Sequence, residues 1–353
     1  MSILCPDGHP FIESNSDGIS RTDALNQWIR ALKIGILNLM PIKLQSEMEI
    51  FNLLGSSSLQ IDAHLIGFDS ERSRNSQFDQ FYMSRDQAQK EKFDAVIITG
   101  ANVETKPFEK VSYWSQLKDV FDRSDTHSQW LMGLCWWAQA WLYHYHQIPK
   151  IQSKTKLFGV YDYHHSTIGH PLLKGMNDIV PMPVSCWTYN DRSAIEDCWD
   201  LSILLDSNIG PWVITDKIND CNHLWISGHP EYARGQLSKE WLRDCFLDSN
   251  VQSPQDYFLN SWWIEEFTAL KLDEKIHIVM NLDDKLRDII FSSAYFASNR
   301  ETLAKIKSYS KWSIDPKRAK VLTPNVRWSA DAYRLFENRV TSVYRKTPED
   351  WLD

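Results

Sequence analysis

Apolar residues along the chain fall into short runs separated by polar stretches of helical spacing. LKIGILNLM, Leu32 to Met40, is an almost continuous apolar run of strand length that stops at Pro41, and it predicts a buried parallel strand. In residues 42–54, Ile42, Met48, Phe51, Leu53 and Leu54 recur over helical turns and Gly55 follows, which predicts a helix and its stop. Residues 59–68 and 94–101 predict two more strands around a polar segment, 69–93. A helix at 113–124, a strand at 129–136 and a helix at 137–147 follow. Strands alternating with helices predict an α/β fold, a parallel sheet with helices on both faces.

The second half carries shorter strand candidates at 157–164, 178–185, 200–207, 211–216 and 223–229, then a helix at 237–249. Beyond Pro254 the pattern becomes that of long amphipathic helices, and Trp328, Ala332, Leu335, Phe336, Val340 and Val343 share one helical face. The organisation expected is a polar N-terminal arm over 1–30, a catalytic α/β body over 31–253 and a helical C-terminal region over 254–353.

Charge and cysteine usage narrow the function classes. The 353 residues carry a formal net charge of −8 with no long basic run, which argues against a nucleic acid or an anionic membrane as main partner and favours small-molecule substrates. No stretch reaches the roughly 18 uncharged apolar residues of a membrane span, and the opening residues lack a basic-then-apolar leader, so a cytoplasmic protein is expected. The six cysteines include no C-x-x-C pair, which suggests neither a disulfide framework nor a standard zinc site. His144/His146, His164/His165, Cys186 and Cys198 lack the i,i+4 spacing of helical metal ligands, so no metal and no bound cofactor is expected.

In an open parallel sheet, ligands gather at the carboxyl ends of strands, and two strand endings carry reactive side chains. WLMGLCWWAQA passes from strand through Gly133-Leu134-Cys135 into a helix, the layout of a nucleophile elbow with cysteine as the nucleophile. The helix N-terminus would favour the thiolate, and the backbone N–H of Trp136 would be the first oxyanion donor. A buried structural cysteine satisfies the same local pattern. At the other ending, Ile226-Ser227-Gly228-His229-Pro230-Glu231, residues two apart on extended chain face one way, so Glu231 can orient the ring of His229. Taken alone, that segment could equally be a surface turn. Together the endings form a Cys–His–Glu set.

The segments LKIGILNLMPIK, DAVIITGANVE, GLCWWAQAWLY, PLLKGMNDIVPMPVS and SGHPEYARGQLSKEWLRD resemble, in order and spacing, the homoserine O-acyltransferases of methionine biosynthesis. The resemblance spans about residues 30–260 and returns at about 323–351 in TPNVRWSADAYRLF. It implies a flavodoxin-like sheet of the class I glutamine amidotransferase kind, and a ping-pong transfer in which Cys135 accepts an acyl group from acyl-CoA and passes it to the hydroxyl of homoserine. His229 and Glu231 match the family's base and orienting carboxylate; Lys156, Ser185 and Arg243 match its substrate-binding positions. Glu104 matches the position associated with the acyl donor, where glutamate goes with acetyl-CoA, used as a co-substrate, and glycine with succinyl-CoA. A glutamate there fills the space of a succinyl tail and repels its carboxylate.

Three features depart from the family pattern. Pro183-Val184-Ser185-Cys186 stands where relatives commonly read Pro-His-Ser-Arg, Trp137 stands where a small residue is usual, and about 60 residues, roughly 260–322, are inserted before the last helix. Transfer to serine or another hydroxy or amino acceptor, and a glutamine amidotransferase or cysteine hydrolase on the same fold, therefore stay open, as do a non-catalytic homologue and a homodimer.

Overall fold

The computed structural model describes residues 3–15, 17–24, 30–68, 78–217, 222–247, 251–259 and 324–348. The expected insertion at 260–322 lies outside them. Among the described residues, twelve strands form one sheet.

The first half contributes β1 (Ile3–Cys5), α1 (Pro10–Ser14), β2 (Gly18–Ser20), α2 (Arg21–Ala24), β3 (Leu32–Leu37), α3 (Lys43–Gly55) and β4 (Ile61–Gly67). After these come α4 (Phe78–Phe81), β5 (Tyr82–Ser84), α5 (Arg85–Ala88), β6 (Phe93–Ile98), α6 (Trp114–His127), β7 (Ser128–Leu134) and α7 (Trp136–His146). The second half contributes β8 (Lys150–His165), β9 (Ile179–Asn190), α8 (Arg192–Glu196), β10 (Leu201–Ser207), β11 (Gly210–Asp216), β12 (His223–Ile226), α9 (Gln236–Leu247) and α10 (Ser329–Lys346). The strand order is β2-β1-β4-β3-β6-β7-β12-β11-β10-β8-β9, with β5 beside β4.

From β2 to β12 all pairs are parallel, as the strand–helix alternation predicts. The remainder is antiparallel, which corrects a purely parallel reading. The cause is connection length: only Asn208 and Ile209 separate β10 from β11, and a link that short can join only antiparallel strands. Along β7, Trp130, Met132 and Leu134 enter the core beneath α3 and α10, while Leu131 enters the opposite core beneath α6 and α7. This alternation is the period of a strand buried on both faces.

Two ends of the chain differ from expectation. Residues 3–20, expected as a polar arm, supply the edge strand β2 and its neighbour β1 and are held by a buried polar network. His9 Nε2 lies 3.0 Å from Glu47 Oε2, and the Tyr82 hydroxyl donates to Oε1 of the same carboxylate. The C-terminal helix α10 belongs to the main body. Its apolar face of Ala332, Leu335, Phe336, Val340 and Val343 is buried on the sheet, and Arg339 lies 4.3 Å above the Trp130 ring while donating to the Asn222 carbonyl. Phe258 and Pro324 meet in an antiparallel bridge, so the residues flanking 260–323 come together.

Trp137 is fully buried in the core beneath α6 and α7. Its ring stacks on Phe121 at 4.0 Å, and it lies over Gly133, where an added Cβ would come within 2.2 Å of the indole. The departure from a small residue is thus a packing feature of the α6–α7 face. Trp137→Ala is expected to lower unfolding free energy by about 3–5 kcal/mol, the cost of deleting a buried aromatic, measured by urea denaturation.

Candidate active site

β7 ends at Leu134, and the chain turns at once into α7 through Cys135, with φ 53° and ψ −123°. Holding a residue with a Cβ at positive φ costs free energy, so the surrounding hydrogen bonds must enforce it. Cys135 N–H donates to the Ile226 carbonyl at 2.7 Å, binding the turn to the neighbouring strand. Trp136 is the first residue of α7, and its N–H is one of those a helix leaves without an intrahelical acceptor.

β12 pairs in parallel with β7, with Ile226 opposite Leu134. Adjacent parallel strands end on the same edge of a sheet, so three residues past Ile226 the side chain of His229 meets Cys135. The approach relies on glycines: a Cβ on Gly228 would lie 2.1 Å from the Trp212 indole nitrogen, and one on Gly100 would lie 3.2 Å from Cys135 Cβ and 3.5 Å from His229 Cε1.

His229 is buried, with its N–H on the Pro183 carbonyl and its ring stacked 4.1 Å from Tyr232. Nδ1 lies 2.7 Å from Glu231 Oε1, so it donates to the carboxylate and leaves Nε2 for the sulfur. Burial pulls the ring's proton affinity down, yet the hydrogen-bonded Cys135 sulfur and the Glu231 carboxylate prevail and hold its pKa well above 6.5.

Beside this set lies a cluster of polar side chains. Lys156 Nζ is 2.8 Å from Asp244 Oδ2 and 3.7 Å from Glu240 Oε2, and it lies over the Phe158 ring at 4.1 Å. Ser185 and Tyr232 donate to opposite oxygens of Glu240, and Gln236 adds a third hydrogen bond. Glu104 accepts from the Trp187 N–H at 3.2 Å; burial raises its pKa, while Lys156 and His229 oppose the rise. Cys135, His229, Glu231, Glu104, Lys156 and Ser185 thus gather at one end of the sheet. Arg243 follows Glu240 on α9, and its side chain lies outside the described residues.

Glu240, Gly100 and Glu49 escaped the sequence reading. Glu240 had a usable signal, since it precedes Arg243 by one helical turn. Glu49, on α3, is buried against the charge of Glu231, and burial followed by that repulsion pushes its carboxyl up to about 8. At neutral pH it keeps its proton, so one negative charge rather than two stands behind His229.

An α/β sheet with a cysteine elbow beside a His–Glu pair is the arrangement of enzymes that pass a group through a cysteine thiol, by acyl transfer or hydrolysis. The sequence profile of the homoserine O-succinyltransferase family matches residues 6–349, and the chain belongs to that family. A protein named homoserine O-acetyltransferase from Rhizobium leguminosarum bv. trifolii is 30% identical over 99% of this chain and 97% of its own length. Relatives of the same name from Allorhizobium ampelinum and Bacillus cytotoxicus are 36% and 38% identical, over 73% and 70% of this chain and 85% and 82% of their own. Among solved structures, a glutamine amidotransferase from Thermotoga maritima covers 75% of this chain and all of its own at a TM-score of 0.43 and 10% identity.

The raised Glu49 value has a consequence for stability. Above about pH 4.5 an unfolded chain releases this proton while the folded one retains it to about 8, so stability falls through that window as pH rises. Glu49→Gln mimics the protonated acid and is expected to remove this loss, leaving the variant more stable than wild type at pH 8 and closest to it below pH 4.5, by urea denaturation.

Proposed function

We propose that the chain transfers an acetyl group from acetyl-CoA, through a thioester on Cys135, to the hydroxyl of homoserine. The observation that carries this reading is the Cys135–His229–Glu231 alignment at the β7 and β12 ends of a chain that belongs to this family.

In the first half-reaction, His229 already holds the proton of Cys135 and the thiolate sulfur attacks the acetyl carbonyl. The Trp136 N–H faces the developing oxyanion, and the CoA thiolate leaves, taking the proton back from the imidazolium. In the second, His229 removes the proton from the acceptor hydroxyl, the oxygen attacks the thioester, and Cys135 is released. Glu231 keeps the ring in the tautomer that serves both steps. The acceptor's ammonium group suits Glu240, with Ser185 and Lys156 beside it, and Arg243 supplies a fork for the carboxylate. The need for a free thiol suits the reducing cytoplasm.

Acetyl is preferred to succinyl because Glu104 brings bulk and a carboxyl group close to Lys156 and His229, where the acyl group is transferred. Val184 and Cys186, in place of histidine and arginine, line β9 beside Ser185 and leave serine as the second acceptor reading.

With acetyl-CoA alone, the protein is expected to gain one acetyl group by intact mass and Cys135→Ala none; homoserine should then discharge it faster than water, serine or an amine. Acetylation persisting in Cys135→Ala would contradict the route, and discharge by serine alone would reassign the acceptor. Glu104→Gly is expected to raise succinyl relative to acetyl transfer about tenfold or more, measured as a ratio of kcat/KM values. A wild-type enzyme that already prefers succinyl-CoA would refute the steric and charge argument.

A further inference from the structure

At the end of α7 away from Cys135, the fold brings together three side chains that are far apart in sequence. His146 is the last residue of α7, Cys198 follows α8, and Asp200 precedes β10. One ligand atom from each lies within 4.8 Å of the other two. His146 Nδ1 is 3.5 Å from Asp200 Oδ2. That is close to the edge of a metal tetrahedron, about 3.4 Å for two ligands each about 2.1 Å from the ion.

We propose that His146, Cys198 and Asp200 form a binding site for a divalent transition ion of the zinc class, with a fourth position open to water.

The donor set of imidazole, thiolate and carboxylate suits zinc or cobalt and is poorly matched to magnesium or calcium. Spacing along the sequence argued against a metal because the three ligands come from separate segments, and the β12-β11-β10 antiparallel turn of the sheet supplies what spacing lacked. The surroundings favour a cation. His146 sits at a helix C-terminus, the negative end of the helix dipole, and Asp197 and Asp216 add charge nearby. The imidazole is held by aromatic rings, with Trp141 at 5.7 Å and Trp225 at 6.2 Å. Ligation by Cys198 expels one thiol proton, since the thiolate is the metal ligand. The site joins the last turn of the nucleophile helix, about 16 Å from its first residue, to the start of β10, so its role is to fasten that helix.

The test is cobalt(II) titration of the chelator-treated full-length chain, followed by absorbance and thermal melting. One equivalent should bind with a thiolate-to-cobalt charge-transfer band and raise the melting temperature. Cys198→Ser should lose the band, and His146→Gln or Asp200→Asn should weaken binding about 10- to 100-fold, at least the loss that follows disruption of groups that merely orient ligands. Acetylation of Cys135 from acetyl-CoA, measured in each variant, shows that it is folded. No band in wild type, a band unchanged in Cys198→Ser, or a folded His146→Gln that binds as tightly as wild type would each overturn the proposal.

Discussion

The parallel pairing of β7 with β12 is the constraint on which the rest of the site depends. Leu134 lies opposite Ile226, and the Cys135 N–H closes on the Ile226 carbonyl, so the nucleophile's turn and the base's segment leave the sheet side by side. A slip of one residue would send every side chain on β12 to the other face. The buried indoles secure this register: Trp225 packs toward α7 on one face, while Trp212 fills the space that Gly228 leaves open on the other. Packing in the core and placement of the reacting groups are therefore one problem, and the positive φ at Cys135 is the strain that the arrangement holds.

Around this frame, charge is distributed so that the His229 ring is hydrogen-bonded to one carboxylate while a second, behind it, is kept neutral. Glu231 is hydrogen-bonded to the ring, and Glu49 behind it is kept neutral by burial and by repulsion from Glu231. A second carboxylate, Glu240, sits with Lys156, Ser185 and Tyr232, where it can meet the ammonium group of an amino-acid acceptor without competing for the imidazole. Proton transfer and acceptor binding in the proposed reaction thus draw on different carboxylates at the same end of the sheet.

Much of this was legible in the chain. The largely apolar segments Leu32–Leu37, Phe93–Ile98 and Ser128–Leu134 are strands buried on both faces, and near-continuous hydrophobicity of that length is the pattern of a buried parallel strand. The elbow at Cys135 and the His229-x-Glu231 pair were readable because each sits at a strand end. The strands at 3–5 and 18–20 were not, since three-residue strands carry almost no periodicity and the contact that docks them is the polar pair of His9 and Glu47. Glu49 and Glu240 are helix acids that spacing alone does not distinguish from exposed ones, and only the fold buries them. Trp137 reads as a departure from the family pattern because the sequence does not tell which face of α7 it takes; its stacking on Phe121 does.

The central claim is that the sheet register makes Cys135, His229 and Glu231 one coupled unit. The most direct test is a nitrogen NMR titration of the His229 ring in wild type, Cys135→Ala and Glu231→Gln. The account predicts a wild-type ring that stays protonated well above pH 6.5, with the midpoint falling in both variants as each loses one partner of the imidazolium. A wild-type midpoint near 6.5 that neither substitution moves would contradict it.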